Sequence, residues 1–175
     1  NKLGYLYSEL GEFDKAAEHT QQAMLLFEQI GAPRDTDWGR TVVAKLAMEQ
    51  GDYPKAQQLL DGVIARAKTS SYKSLLVDAY KMAAELALRQ NDAQAVLRYT
   101  TAGIEQAQQN NERADEALLL HMQVQAYIQL DAVREALAGL LRQKQLDDEI
   151  FNSKTCCHYR CDSGANRFYP SAVSD

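Results

Sequence analysis

The first 155 residues contain no cysteine; Cys156, Cys157 and Cys161 all fall in the last twenty residues. The body of the chain therefore folds without a disulfide, and thiol usage does not separate a cytoplasmic from a periplasmic location. Proline is scarce, with three residues, and glycine is limited to nine. Aromatic residues make up only 8% of the chain. No apolar run approaches the ~18–20 residues of a membrane-spanning helix, so no direct membrane contact is expected. No secretory leader pattern stands at the start, and the chain opens at Asn1 in mid-helix, as a fragment would. There is no basic stripe: 24 acidic against 19 basic residues leave a net charge of −5, which argues against nucleic acid as a partner.

What the chain has is alanine, leucine, glutamine, glutamate, lysine and arginine, all good helix formers. With 46% hydrophobic residues it has ample material for a core, and an all-α fold is the expectation. One turn device recurs. Gly51-Asp52-Tyr53-Pro54-Lys55-Ala56 places a glycine where a helix must end left-handed and a proline where the next begins. Gly11-Glu12-Phe13-Asp14-Lys15-Ala16 repeats it 40 residues earlier. Looser copies start at Asn91 and Asp131, giving three intervals of 40. A constant interval of this size marks a repeat architecture.

Apolar periodicity predicts helices over about 1–10, 14–29, 38–50, 54–68, 72–90, 93–109, 113–129 and 133–151. Gly31 and Pro33 are read as stopping the second, and Asp35, Thr36 or Asp37 as capping the third. At the 40-residue step one slot holds Leu6, Leu46, Leu86 and Ala126. Another holds Gly4, Ala44, Ala84 and Val124, a third Ala16, Ala56, Val96 and Ala136, and a fourth Tyr7, Ala47, Ala87 and Tyr127. The small side chains of the second and third slots would let antiparallel helices approach closely. Residues 1–152 form the periodic domain in this reading. Residues 153–175 lose both periods and read as an irregular tail, disordered or non-native.

Leu3, Gly4, Tyr7, Gly11, Phe13, Ala16 and Ala23 in the first unit, and Val43, Ala44, Gly51, Tyr53, Ala56 and Val63 in the second, resemble the tetratricopeptide repeat. The resemblance implies a right-handed α-solenoid of about four antiparallel helix pairs. The family's common step is 34 residues; the step of 40 implies longer helices or links, similar to the repeats of bacterial signalling proteins. The segment from Leu141 to Asn152 resembles the closing helix of repeat sensor regions in histidine kinases and diguanylate cyclases. These likenesses imply a non-catalytic protein- or peptide-binding scaffold, the sensory or interaction region of a larger bacterial signalling protein. A stand-alone adaptor or assembly factor, or the repeat domain of a peptide-pheromone receptor, are the alternatives.

In such a solenoid the first helix of each pair lines the concave face. The expected partner-binding residues are Tyr5 on the first of these helices and Trp38, Thr41, Lys45 and Met48 on the next. Asp78, Lys81, Glu85 and Arg89 follow on the third, and His121, Gln125 and Ile128 on the fourth. Trp38 is the sole tryptophan, a residue type favoured at binding hot spots; packing against the 31–37 loop is the competing role. One subfamily grips peptide carboxylates with Lys, Asn and Arg. Here Asp78 and Glu85 interrupt Lys45, Lys81 and Arg89 and the Asn residues are missing, so chaperone tails are not the expected ligand.

Catalysis and cofactors are not expected. There is no phosphate loop, no nucleophile elbow and no His pair at metal-binding helical spacing. Cys156, Cys157, His158 and Cys161 lack the second ligand pair that a tetrahedral zinc site needs. Asp147 and Asp148 read as a solvated face. Oligomeric state has no signature in the sequence.

Overall fold

The computed structural model describes the backbone of residues 2–164 and, apart from residues 2 and 9, the side chains up to residue 152. The described residues form eight α-helices and no strand: α1 Lys2–Glu9, α2 Phe13–Gln29, α3 Pro33–Glu49, α4 Tyr53–Thr69, α5 Lys73–Arg89, α6 Ala93–Asn110, α7 Arg113–Gln129 and α8 Val133–Gly164. The fold is all-α. Each helix packs on its neighbour in the chain, and α1, α3, α5 and α7 also touch one another in succession.

The 40-residue step has a physical basis in a 20-residue one. α2, α3, α4, α5 and α7 are each 17 residues long. Short joints of two or three residues separate them, so the long step comes from long helices and not from long links. At six joints one residue takes a left-handed backbone: Gly11, Gly31 and Gly51, then Asn91, Asn111 and Asp131, with φ between 56° and 78°. The following N–H bonds back to the carbonyl five residues earlier, as from Asp52 to Ala47 at 2.8 Å and from Ala132 to Tyr127 at 2.9 Å. This closure satisfies carbonyls that a helix end leaves open. The α4–α5 joint is the exception. Ser70 is extended there, with φ −107° and ψ 171°, and the Lys73 N–H donates to the Ser71 carbonyl.

Helix starts differ from the sequence reading in one place. Pro33 does not stop α2; it opens α3 as the first residue, where its missing N–H is harmless. Asp35, Thr36 and Asp37 consequently lie inside α3 and cap nothing. Thr36 Oγ1 donates to the Ala32 carbonyl, and Asp37 is buried. Side-chain caps form instead at Asp52, whose Oδ1 accepts from the Lys55 N–H at 3.2 Å, and at Asp92, which accepts from Ala95 at 3.0 Å. The last helix continues twelve residues past Asn152, where the loss of periodicity suggested an irregular segment. The side chains of Cys156, Cys157, His158 and Cys161 lie outside the described residues.

The small-residue slots are the seams of the core. Gly4, Ala44, Ala84 and Val124 are all buried, as are Ala16, Ala56, Val96 and Ala136. The main apolar cluster runs across α3, α4 and α5 through Ala44, Met48, Ala56, Leu60, Val63 and Tyr80. Gly103 extends the close approach into α6. A methyl group there would stand 3.0–3.1 Å from Leu119 and from Cβ of Tyr80. Two carboxylates are buried beside this core and held by arginines of the next helix. Asp37 takes Arg66 Nε at 2.8 Å and Nη2 at 2.7 Å, with Arg40 at 2.6 Å. Glu116 takes Arg142 at 3.2 Å and Gln108 at 2.8 Å.

Candidate partner-binding groove

Helix periodicity turns one side of each odd-numbered helix onto a shared face. On α1 and α3, the Tyr5 and Trp38 rings lie 6.2 Å apart with a 38° tilt, and Lys45 Nζ sits 5.3 Å from the Tyr5 ring centre. Thr41 Oγ1 donates to the Trp38 carbonyl at 2.7 Å, which spends its hydroxyl on the backbone. On α5, Lys81 Nζ donates to Asp78 at 2.7 Å and to Asp115 of α7 at 2.6 Å. Two turns further, Arg89 Nη2 bridges Glu85 at 3.0 Å and Glu49 of α3 at 2.6 Å. Ion pairs therefore tie α3 to α5 and α5 to α7 across this face.

These pairs set the electrostatics. Burial pulls the Lys81 ammonium towards a lower pKa, but its hydrogen bonds to Asp115 and Asp78, with their charges, outweigh that and hold it above the ordinary lysine value. The hydrogen bond from Arg89 to Glu49 likewise raises the guanidinium against partial desolvation. Both cations stay charged at neutral pH and present neutralised, oriented groups.

Between the helices lies a cavity of about 350 Å³. Tyr5, Trp38, Thr41, Lys45, Asp78, Lys81 and Glu85 line it, together with Val42, Met82, Leu118 and Met122. A second hollow of about 350 Å³ shares Trp38 and Asp78 and runs towards Phe27, Arg34, Asp35, Ser74 and Leu75. Seven of the twelve expected residues thus surround one cavity. Arg89 stands one turn away, joined through Glu85. His121 and Gln125 are exposed on α7, 3.1 Å from each other and outside the cavity. Ile128 is exposed near the end of α7. Met48 is a correction: only 1% of it is accessible and it belongs to the main core cluster, because the end of α3 turns it onto α4 and α5. Trp38 packs against the core cluster of α3, α4 and α5, not against the 31–37 segment, and lines both hollows.

The sequence reading passed over Val42, Met82, Leu118 and Met122. The signal was present: Val42, Met82 and Met122 are one slot at the 40-residue step, and Trp38, Asp78 and Leu118 are another. They form the apolar floor of the groove. Among the described residues no cluster of three or more His, Cys, Asp or Glu is placed to hold a metal ion. Nor is any described helix long and apolar enough to cross a membrane.

No protein-family profile matches the chain, and no curated protein matches it. Solved structures do. The crystal structure of BtubC (BKLC) from P. vanneervenii superimposes with a TM-score of 0.72 over 99% of this chain, at 15% sequence identity. The match spans 65% of the BtubC chain, less than two thirds of its length. At that identity the likeness is one of fold: this chain shares its helical architecture with a stretch of BtubC.

Proposed function

We propose that the chain is a non-catalytic scaffold of the tetratricopeptide kind, a right-handed α-solenoid of four helix pairs. It holds a protein or peptide segment along α1, α3, α5 and α7. The observation that carries this reading is the cavity whose floor is assembled from the same slots of successive repeats. Trp38, Met82, Leu118 and Met122 offer adaptable apolar contact, which tryptophan and methionine supply well. Around them the charges already neutralise one another, so an incoming segment meets an oriented polar rim. Such a groove suits an apolar side chain projecting from an extended or helical segment. The resemblance of the long units and closing helix to sensor regions supports a place in a larger bacterial signalling protein. A stand-alone adaptor would use the same groove.

The test is selection of a displayed random-peptide library on the immobilised full chain, counter-selected with Leu118→Glu. Leu118 is exposed, so the variant keeps its fold, which circular dichroism checks. Peptides sharing an apolar anchor should enrich on the wild type and bind the variant at least about tenfold more weakly, the loss expected of a hot-spot change. Enrichment of nothing, or equal binding to the variant, counts against the groove.

A further inference from the structure

The cations of the groove are neutralised, but not one for one. Lys81 Nζ is shared by two carboxylates, Asp78 of α5 and Asp115 of α7. Arg89 Nη2 is likewise shared by Glu85 of α5 and Glu49 of α3. Each set holds two carboxylates against one cation, so each carries one negative charge in surplus. All four carboxylates meet their cation through a single oxygen, Oδ1 or Oε1. At the Lys81 set the lysine side chain is 19% exposed, and those of Asp115 and Asp78 are 32% and 44% exposed. A group arriving from solvent therefore reaches the carboxylates before the ammonium. Lys45, the other cation of the cavity lining, stands over the Tyr5 ring on the α1 side. Counted with Lys81 and Arg89, it still leaves three cations against four carboxylates.

The surplus is placed around the apolar floor. Asp78, Met82 and Glu85 follow one stripe of α5, and all three line the cavity. Asp78 and Glu85 are two turns apart, about 10 Å at a rise of 1.5 Å per residue. Met82 stands between them on the same helix, with Leu118 and Met122 of α7 beside it in the lining.

We infer that the groove selects a segment in which an apolar side chain is flanked by lysine or arginine. The apolar group seats against Met82 and Leu118, and the cations meet Asp78 and Glu85. The inference rests on the groove reading above and names the chemistry of its occupant. An extended segment advances about 3.3 Å per residue, so cations three residues apart, with the anchor between them, span the two carboxylates. Lysine and arginine also carry apolar stems that can lie along the floor while their heads reach the rim. An acidic segment would place like charges against the surplus carboxylates and is selected against.

Three displayed peptide libraries test this on the immobilised full chain. Each has one position restricted to Leu, Met, Phe and Trp, with flanks restricted to Lys and Arg, to Ser and Asn, or to Asp and Glu. The basic-flanked library should be captured about fivefold better than the neutral one, the gain expected of two partly exposed ion pairs. That gain should vanish on Asp78→Asn combined with Glu85→Gln, which leaves Lys81 with Asp115 and Arg89 with Glu49. Circular dichroism checks the fold of this variant. On the wild type, raising salt from about 0.05 M to about 1 M should remove the same gain, since exposed pairs are then screened. Leu118→Asn, which weakens the floor without altering charge, should lower capture of the basic and neutral libraries alike. Equal capture of the neutral and basic libraries, both sensitive to Leu118→Asn, overturns this inference and leaves the groove reading standing. Preference for the acidic flanks, or a basic preference that survives the double substitution or high salt, also overturns it. Capture of no library overturns both.

Discussion

The halves α1–α4 and α5–α8 solve the same problems with different residues. In the first half the left-handed turn positions are Gly11, Gly31 and Gly51; in the second they are Asn91, Asn111 and Asp131, with nearly the same φ. In the first half the buried carboxylate Asp37 is gripped by three arginine nitrogens; in the second Glu116 has one longer arginine contact and a glutamine. The crossing held by Ala16 and Ala56 is held by Val96 in the third unit. The backbone plan is thus the stricter constraint. A left-handed φ tolerates Gly, Asn or Asp, and a seam tolerates Ala or Val, provided the neighbours adjust.

The sharpest way to break this equivalence is at the buried carboxylates. Arg66→Met removes two charge-assisted hydrogen bonds from Asp37 while Arg40 still pairs it, and urea unfolding should show a loss of about 2 kcal/mol. Arg142→Met should cost about 1 kcal/mol, since Glu116 keeps Gln108 and starts from a longer contact. Equal losses would mean that the two grips are equivalent despite their geometry.

Next comes the seam. Ala56→Leu should destabilise by roughly 1–3 kcal/mol through overpacking. Val96→Ala should cost about 1 kcal/mol, the lost methyl groups being fully buried. If Ala56→Leu is neutral, the α3–α4–α5 cluster has slack that its burial does not suggest. The turns give a smaller effect of opposite signs. Gly51→Ala should cost about 1 kcal/mol from forcing a Cβ into a left-handed backbone. Asp131→Gly should stabilise by a few tenths of a kcal/mol, with Asn91→Gly closer to neutral because Asn suits that conformation. Thermal melts of the three variants, read together, rank the turn residues.

The smallest expected effect depends on pH. Lys81 has a folded pKa raised above its ordinary value of 10.5. Its contribution is fully present below that value and is lost as the pH climbs through the higher folded one. Stability measured from about pH 8 to strongly alkaline conditions should fall more for the wild type than for Lys81→Met. Parallel curves would show that the contacts with Asp78 and Asp115 add nothing.

Much of the plan was legible beforehand. The 40-residue register located every pair of helices, and the buried Ala16–Ala56–Val96–Ala136 slot followed from it. Seven groove residues could be named because a helix face is periodic. The kinship of all six left-handed joints was harder to see. Gly31, read together with Pro33, looked like a stop alone, although Gly11, Gly31 and Gly51 already stood 20 apart. Met48 was misplaced because one helical turn separates groove from core near the end of α3, and periodicity does not resolve that difference. Asp37 and Glu116 are not related by the repeat, so no register pointed to their burial.

By itself the sequence determined the all-helical content, the repeat length and the small residues at the seams. These follow from local propensity, turn chemistry and a constant interval, all of which act along the chain. The tertiary structure alone decided which side of α3 faces the groove and which carboxylates are buried. Those depend on what each helix packs against, and the neighbours are brought together only when the chain folds.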